Sequence, residues 1–311
     1  MRADSFWVRP MALKAKGVCG LVRPSLLTFC FSLSLLLCLS PSPSNAQDST
    51  RSASTAAQNP WWARLVSAQD MERSARQQYE QLIQEAYQSH ALMGPTALQV
   101  IKVREIAKTL IQEANRYNPR AQHWAWEVNV IDANLVNAFC MPGGKIVVYT
   151  GLMRQLALSD DELAVVMGHE MAHALLEHSR ARVAKTMTTQ GLARVGGVLA
   201  SGVLGVDPRL TDYMAREGAG LLSLKFSRED EQAADALGLE LASRVGFDPR
   251  AGISLWQKMQ SLSKGAPPAW LSTHPSDASR EQSIRAELPK VMPLFERAQH
   301  EARVKAFELK E

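Results

Sequence analysis

Two histidines four positions apart, with a glutamate directly after the first, are the residues of this chain best suited to chemistry. They are His169, Glu170 and His173, in the order HExxH. Residues four apart on a helix lie on one face, so both imidazoles can reach a single Zn²⁺. Glu170 can then take a proton from a water bound to that ion. The pattern predicts a zinc site with a general base, which is the chemistry of metal-assisted hydrolysis.

The sequence around this motif predicts the helix that it needs. The segment opens with Ser159, Asp160, Asp161 and Glu162, and acidic residues in a first turn suit the helix dipole. The residues that follow are mostly apolar, as in a buried helix. A chance match of three fixed positions is the alternative, and this context disfavours it.

A catalytic zinc needs three protein ligands and an open position for water, so one further ligand must lie elsewhere. The extended motif of metzincins is excluded, because Leu176 and Ser179 stand where that class has glycine and histidine. His178 lies nine residues after His169, which is about 900° around a continuous helix and therefore on its opposite side. We interpret His178 as a structural or surface residue.

Glu231 is the better candidate for the third ligand. It shares a predicted helix face with Asp235, four positions on, as the two histidines share theirs. One carboxylate can bind the metal while the other accepts the Nδ1–H of a ligating histidine and fixes its tautomer. Plain solvation is the alternative for an acidic helix face. We predict Glu231 as ligand and Asp235 as its partner, and we expect no ligand role for Glu229 or Asp230.

The N-terminal residues are predicted to be a targeting segment. Residues 1–46 combine a basic start, an apolar stretch over residues 26–39 and small residues before Ala46, which predicts a signal peptide cleaved after Ala46. An uncleaved anchor is the alternative. Residues 47–60 are polar and are predicted to be a disordered tether. Export predicts a periplasmic location, and peripheral association with the outer membrane is left open.

The charge balance argues against a nucleic-acid-binding protein, and the cysteine content argues against an intrachain disulfide and a cysteine-rich zinc site. The segment holds five of the 35 basic and one of the 31 acidic residues, so the remaining chain is balanced and no nucleic-acid partner is expected. Three of the four cysteines leave with it, and Cys140 remains alone. This predicts neither an intrachain disulfide nor a cysteine-rich zinc site.

The remaining pattern predicts an α+β fold, mostly helical, with a small β-sheet beside the HExxH helix. Residues 61–117 have helical periodicity interrupted near Gly94-Pro95. Residues 124–131 and 145–149 are predicted to be neighbouring strands, and helices are expected over 226–245, 251–262 and from 277 onward. The Gly/Ala-rich residues 190–206 are predicted to form a covering helix, with a lid that touches a membrane or a partner as the alternative.

Four motifs in order carry a resemblance to a known family. They are residues 137–144 (NAFCMPGG), the HExxH helix, residues 231–235 (EQAAD) and residues 272–275 (STHP). The chain resembles the zinc endopeptidases of the CAAX prenyl protease and HtpX type over residues 97–288, between an N-terminal helical segment (61–96) and a C-terminal helical tail (289–311). It is most similar to LoiP-like and BepA-like members, but lacks the transmembrane helices of HtpX and the C-terminal repeats of BepA.

The resemblance implies one Zn²⁺ per subunit, a glutamate as third ligand, and roles for two further stretches. Asn137 and Ala138 would end a strand beside the cleft, where an extended peptide can add by backbone pairing. His274 would lie near the zinc, either to stabilise the tetrahedral intermediate or to occupy the open coordination site at rest. A histidine that merely caps a helix is the alternative. Arg280 is expected to help to orient this loop.

These features together predict a zinc metalloendopeptidase. Its expected partners are polypeptides, in particular misfolded or mis-assembled cell-envelope proteins, and peripheral membrane association is left open. The alternative is a zinc-containing periplasmic chaperone or outer-membrane assembly factor with little proteolysis. A membrane-tethered scaffold that uses residues 190–206 is a further alternative.

Overall fold

The structure, a computed structural model, describes residues 61–190, 221, 224–262, 268–274 and 279–308. The predicted signal peptide and tether lie outside these residues. So does the Gly/Ala-rich segment, apart from its first residue.

Helices make up most of the described chain, and the two expected around Gly94-Pro95 are both present. Within the described residues, no helix is both long and apolar enough to cross a bilayer. The helices are α1 (Ala68–Gln88), α2 (Leu98–Ala114), α3 (Thr150–Gln155), α4 (Asp160–Leu175), α5 (His178–Gln190), α6 (Arg228–Arg244), α7 (Ala251–Leu262), α8 (Ala269–Thr273) and α9 (Ser279–Glu308), with 3-10 turns at Trp61–Arg64 and Pro119–His123.

A three-stranded sheet is formed by β1 (Glu127–Ile131), β2 (Ala138–Met141) and β3 (Lys145–Tyr149) in the order β1-β3-β2. β1 and β3 are neighbours, as the sequence predicted, and they run parallel. β2 pairs antiparallel with β3. A turn at residues 142–144 joins β2 to β3, and its two glycines have φ of 83° and 77°, which glycine adopts without strain. Ala138 therefore begins a strand rather than ending one, which corrects the prediction. The α+β prediction is confirmed.

Helix α4 lies at the centre of the fold, and all of its residues from Glu162 to Leu175 are buried. It packs against β2 on one side and against α6 on another. Ser159 caps its start: the side chain accepts from the backbone N–H of Glu162, whose carboxylate accepts from the backbone N–H of Ser159. A rigid central helix therefore presents the HExxH residues.

Two glycines let α4 and α6 approach at backbone distance. A Cβ on Gly168 would stand 2.7 Å from the carbonyl oxygen of Gly238, and a Cβ on Gly238 would stand 2.7 Å from the backbone nitrogen of His169. Neither position has room for a side chain. The contact places His169 on α4 against the helix that carries Glu231.

Candidate active site

Four buried side chains meet where α4, α6 and the end of α8 come together. They are His169, His173, Glu231 and His274, and each offers one donor atom within 4.8 Å of all the others. The predicted ligands are thus brought to one point from three separate elements. Their role as ligands remains a prediction.

The separations between these donor atoms match a small tetrahedral ion. His169 Nε2 lies 3.1 Å from His173 Nε2 and 3.5 Å from Glu231 Oε2, and His173 Nε2 lies 3.5 Å from Glu231 Oε1. Zinc binds such ligands at 2.0–2.1 Å, so the corners of its tetrahedron are about 3.3–3.4 Å apart. The two histidine nitrogens therefore fit two corners of a zinc site, and the Glu231 carboxylate lies on the side of the third corner.

His274 stands near the fourth corner. Its Nδ1 lies 3.2 Å from His169 Nε2 and 3.0 Å from Glu231 Oε1. It also follows α8 directly, and its backbone N–H donates to the carbonyl of Trp270, so its backbone does have the geometry of a helix cap. The imidazole nevertheless faces the cluster.

Asp235 and Arg280 surround the outer side of the cluster. Asp235 Oδ1 lies 2.9 Å from His169 Nδ1, the nitrogen that faces away from the other donors. The Arg280 guanidinium donates to Asp235 at 2.6 and 2.8 Å and to Glu231 Oε2 at 2.6 Å. The same guanidinium lies 5.6 Å from the ring centre of Trp270, so Arg280 connects the carboxylates of α6 to α8.

The electrostatics of the cluster favour a cation among these donors. Burial works to lower the pKa of His169, but the carboxylates of Asp235 and Glu231 outweigh burial and raise it to about 9. Burial works to raise the pKa of Glu231, yet hydrogen bonds and charge from His169 and His274 hold it well below its usual range. A proton on His169 thus supplies positive charge that the buried carboxylates require. The donor set therefore fits a metal cation.

Glu170, the predicted general base, is buried at the edge of this cluster. Its Oε1 accepts a hydrogen bond of 2.7 Å from the Trp270 indole N–H and lies 3.6 Å from His274 Nε2. Residues 137–142, which include all of β2, line a cleft together with Glu170, His173 and His274. Within the described chain β2 pairs only with β3, so it is an edge strand. Asn137 and Ala138 lie at the start of this strand and line the cleft, and their role in holding a substrate stays a prediction.

His178 is placed differently from its prediction. Helix α4 ends at Leu175, Glu177 has a φ of 57°, and a new helix starts at His178. The continuous helix assumed from spacing is thus broken, and His178 is buried with its Nδ1 2.9 Å from His173 Nδ1. Of the two interpretations given for His178, the surface position is wrong, and the structural role stays a prediction. Nothing in the local sequence marks the break, because Glu177 is not a residue that favours positive φ.

The contact of Trp270 with Glu170 was also missed. The two residues are 100 positions apart, and the available signal was only a tryptophan four residues before His274. Pattern reasoning relates residues within one element, whereas this contact depends on how α8 packs against α4.

Several proteins of known name are similar to this chain. The mitochondrial metalloendopeptidase OMA1 of Arabidopsis thaliana is 40% identical over 160 residues, covering 51% of this chain and 31% of that protein. The metalloprotease LoiP of Escherichia coli (strain K12) is 31% identical over 181 residues, 58% of this chain and 70% of LoiP. The beta-barrel assembly-enhancing protease of the same bacterium is 30% identical over 173 residues, 53% of this chain and 35% of that protein.

The OMA1 relatives bear on the predicted cellular location of this chain and show how much of each relative it matches. The chain spans 31% to 50% of their length, so they contain much that this match does not cover. All six carry names that place them in mitochondria, and the predicted periplasmic location is wrong on this comparison. A basic N-terminal segment with one acidic residue also suits a mitochondrial transit peptide, so its composition does not separate the two destinations.

The family assignment depends on the part of the chain that holds all four motifs. Residues 97–288 match the family model of peptidase family M48. This range includes α4 with its HExxH residues, α6 with Glu231 and Asp235, and His274 after α8. It covers well over half of the chain. The chain belongs to peptidase family M48.

Proposed function

We propose that this chain is a zinc-dependent metalloendopeptidase that hydrolyses peptide bonds in unfolded polypeptides. One Zn²⁺ per subunit would be held by His169, His173 and Glu231. The observation that carries the proposal is the spacing of these three donors, which suits zinc, beside the buried carboxylate of Glu170 in a cleft. Family membership supports the same reaction class.

The chemistry divides between the ion and the chain. When bound, zinc would polarise the scissile carbonyl and lower the pKa of a coordinated water. Glu170 would take the proton of that water and return it to the leaving amine. Trp270 donates a hydrogen bond to Oε1 of Glu170 and would fix the orientation in which this carboxylate takes the proton. Asp235 would accept the Nδ1–H of His169 and so keep Nε2 directed at the ion.

The cleft indicates the form of the substrate. Residues 137–142, which include the edge strand β2, border the cleft that Glu170 and His274 also line. An extended peptide added to the edge of β2 would be held by main-chain hydrogen bonds, which do not depend on its sequence. This recognition suits misfolded or mis-assembled polypeptides, whose backbones are free to pair. Cell-envelope proteins as the natural substrates followed from the family resemblance alone and stay a prediction. Peripheral membrane association stays a prediction.

Replacing Glu170 by glutamine tests the proposal. The variant keeps all three ligands but lacks the base, so it should retain zinc while cleavage of unfolded casein falls by at least about 10²-fold. Glu229→Gln, the same change at an exposed carboxylate of α6, is the matched control and should cleave normally. Near-normal cleavage by a contaminant-free Glu170→Gln protein would reject the assignment.

A second candidate is a chaperone or assembly factor that keeps the metal for structure. The position of His274 favours it, because four protein donors form a closed site without room for water. The two candidates differ in one measurement. If this chain is a chaperone, the wild type and the Glu170→Gln variant should suppress aggregation of an unfolded protein equally well, and neither should cleave that protein.

A further inference from the structure

Trp270 joins the predicted base to the loop that carries His274. It is buried, its indole N–H donates to Glu170 Oε1 at 2.7 Å, and its ring stacks on His274 at 4.6 Å with 12° between the planes. We propose that Trp270 is a positioning residue, which fixes the orientation of the Glu170 carboxylate at the edge of the metal cluster. The inference rests on the proposed function and adds a residue outside the HExxH motif to its machinery.

A glutamate needs such a fixing contact. The terminal torsion of its carboxylate is broad and roughly two-fold, so the side chain alone does not select one orientation. The indole N–H is a donor without acceptor capacity, so it can bond only to an oxygen that offers a lone pair. A bond to one carboxylate oxygen therefore holds the plane of the group and distinguishes its two oxygens. Hydrogen bonds to charged groups are also stronger than neutral ones.

Trp270 is itself held by contacts from several separate elements. Its backbone N–H donates to the carbonyl of Val136 at 3.1 Å, two residues before β2 begins. The Arg280 guanidinium lies 5.6 Å from its ring centre, and the ring of Trp256 meets it edge-on at 6.0 Å. A donor fixed in this way costs no reorganisation when the reaction occurs, which is the requirement for a positioning contact.

The chain offers a matched pair of tryptophans for the test. Trp256 is also buried, but its indole N–H has no hydrogen-bond partner among the described residues. Changing either residue to phenylalanine keeps an aromatic ring and removes one N–H. Only at position 270 does that N–H contact Glu170.

Steady-state cleavage of an unfolded substrate by zinc-loaded wild type, Trp270→Phe and Trp256→Phe is the first measurement. Trp270→Phe should lower kcat by about 10- to 100-fold, the effect of one hydrogen bond to a charged group, with KM changed less than about threefold. Its zinc content should equal that of wild type. Trp256→Phe keeps an aromatic ring against Trp270 and against Arg280, which lies 4.2 Å from the ring centre of Trp256, so both constants should stay near wild type. A kcat of Trp270→Phe within about threefold of Trp256→Phe would overturn the inference.

A spectroscopic measurement tests the contact without activity. In a ¹⁵N–¹H correlation spectrum, the Trp270 indole resonance should be absent from Trp270→Phe and should shift when Glu170 is replaced by glutamine. The Trp256 resonance, absent from Trp256→Phe, should not shift. If no indole resonance responds to Glu170→Gln, the inference is wrong even if the protein is a peptidase. If the resonance responds but wild type cleaves nothing, the contact stands and the proposed function fails.

Discussion

Arg280 should stabilise this fold more than any exposed arginine of α9. Its side chain is 3% exposed and makes three hydrogen bonds of 2.6–2.8 Å to Glu231 and Asp235, two carboxylates that are themselves buried. Neutral side chains at position 280 would leave these carboxylates without their fixed cation. We predict that Arg280→Ala is strongly destabilising, even in the absence of metal.

The size of the loss follows from the burial of the pair. Removing one partner of a buried ion pair costs about 3–5 kcal/mol, because the remaining charge is uncompensated. For a domain of about 150–250 residues each kcal/mol corresponds to a shift of roughly 2–4 °C in Tm, so Tm should fall by about 6–20 °C. Arg280→Lys should lose less, because lysine keeps the charge but not the planar fork that contacts both carboxylates.

Thermal and urea unfolding in the presence of a chelator measure this effect without a contribution from metal binding. Arg285→Ala is the control on the same helix: its side chain is 55% exposed, its partner is Glu281 one turn away, and Tm should change by less than about 2 °C. If Arg280→Ala unfolds at the same temperature as Arg285→Ala, the buried network does not stabilise the protein and the reasoning is wrong.

Three further predictions concern the site. Glu231→Ala should remove most of the zinc, whereas Glu229→Ala should not, because Glu231 faces the histidines and Glu229 does not. The zinc content of each variant is measured by elemental analysis. A Glu231→Ala protein with full zinc content would contradict the predicted ligand set. His274→Ala should retain zinc and raise basal cleavage, because the imidazole stands near the fourth corner. A fall of roughly 10²–10³-fold would instead assign His274 to the developing oxyanion. Gly238→Ala should lower both Tm and zinc content, since the new Cβ would stand 2.7 Å from the backbone nitrogen of His169; unchanged values would mean that the helices can separate at no cost.

The sequence was most informative where the chemistry depends on spacing within one helix. The HExxH pattern and the pair Glu231 and Asp235 predicted two helices and the side chains that each turns inward, because a period of 3.6 residues fixes which positions share a face. The structure has those helices at Asp160–Leu175 and Arg228–Arg244. The resemblance to a family, rather than spacing, indicated His274.

Contacts between elements were beyond this reasoning. The bonds of Arg280 to Asp235 and of Trp270 to Glu170 span 45 and 100 positions, and no periodicity relates such pairs. The placement of Asn137 and Ala138 at a strand end came from the family resemblance, and the four-residue strand β2 is too short for alternation to have corrected it. His178 was misplaced because a helix was continued through Glu177, where the chain takes up a left-handed conformation.

The close approach of α4 and α6 has a consequence for how mutations in this protein combine. A side chain at Gly238 would collide with main-chain atoms of His169, and one at Gly168 with the main chain of Gly238. Such a clash differs from overpacking between side chains, which a smaller residue on the facing helix can relieve. The backbone has no smaller form, so a genetic screen should find no suppressor of Gly238→Ala among substitutions of α4. Rescue would have to come from general stabilisation elsewhere, and it should be additive with the defect because it shares no contact with it.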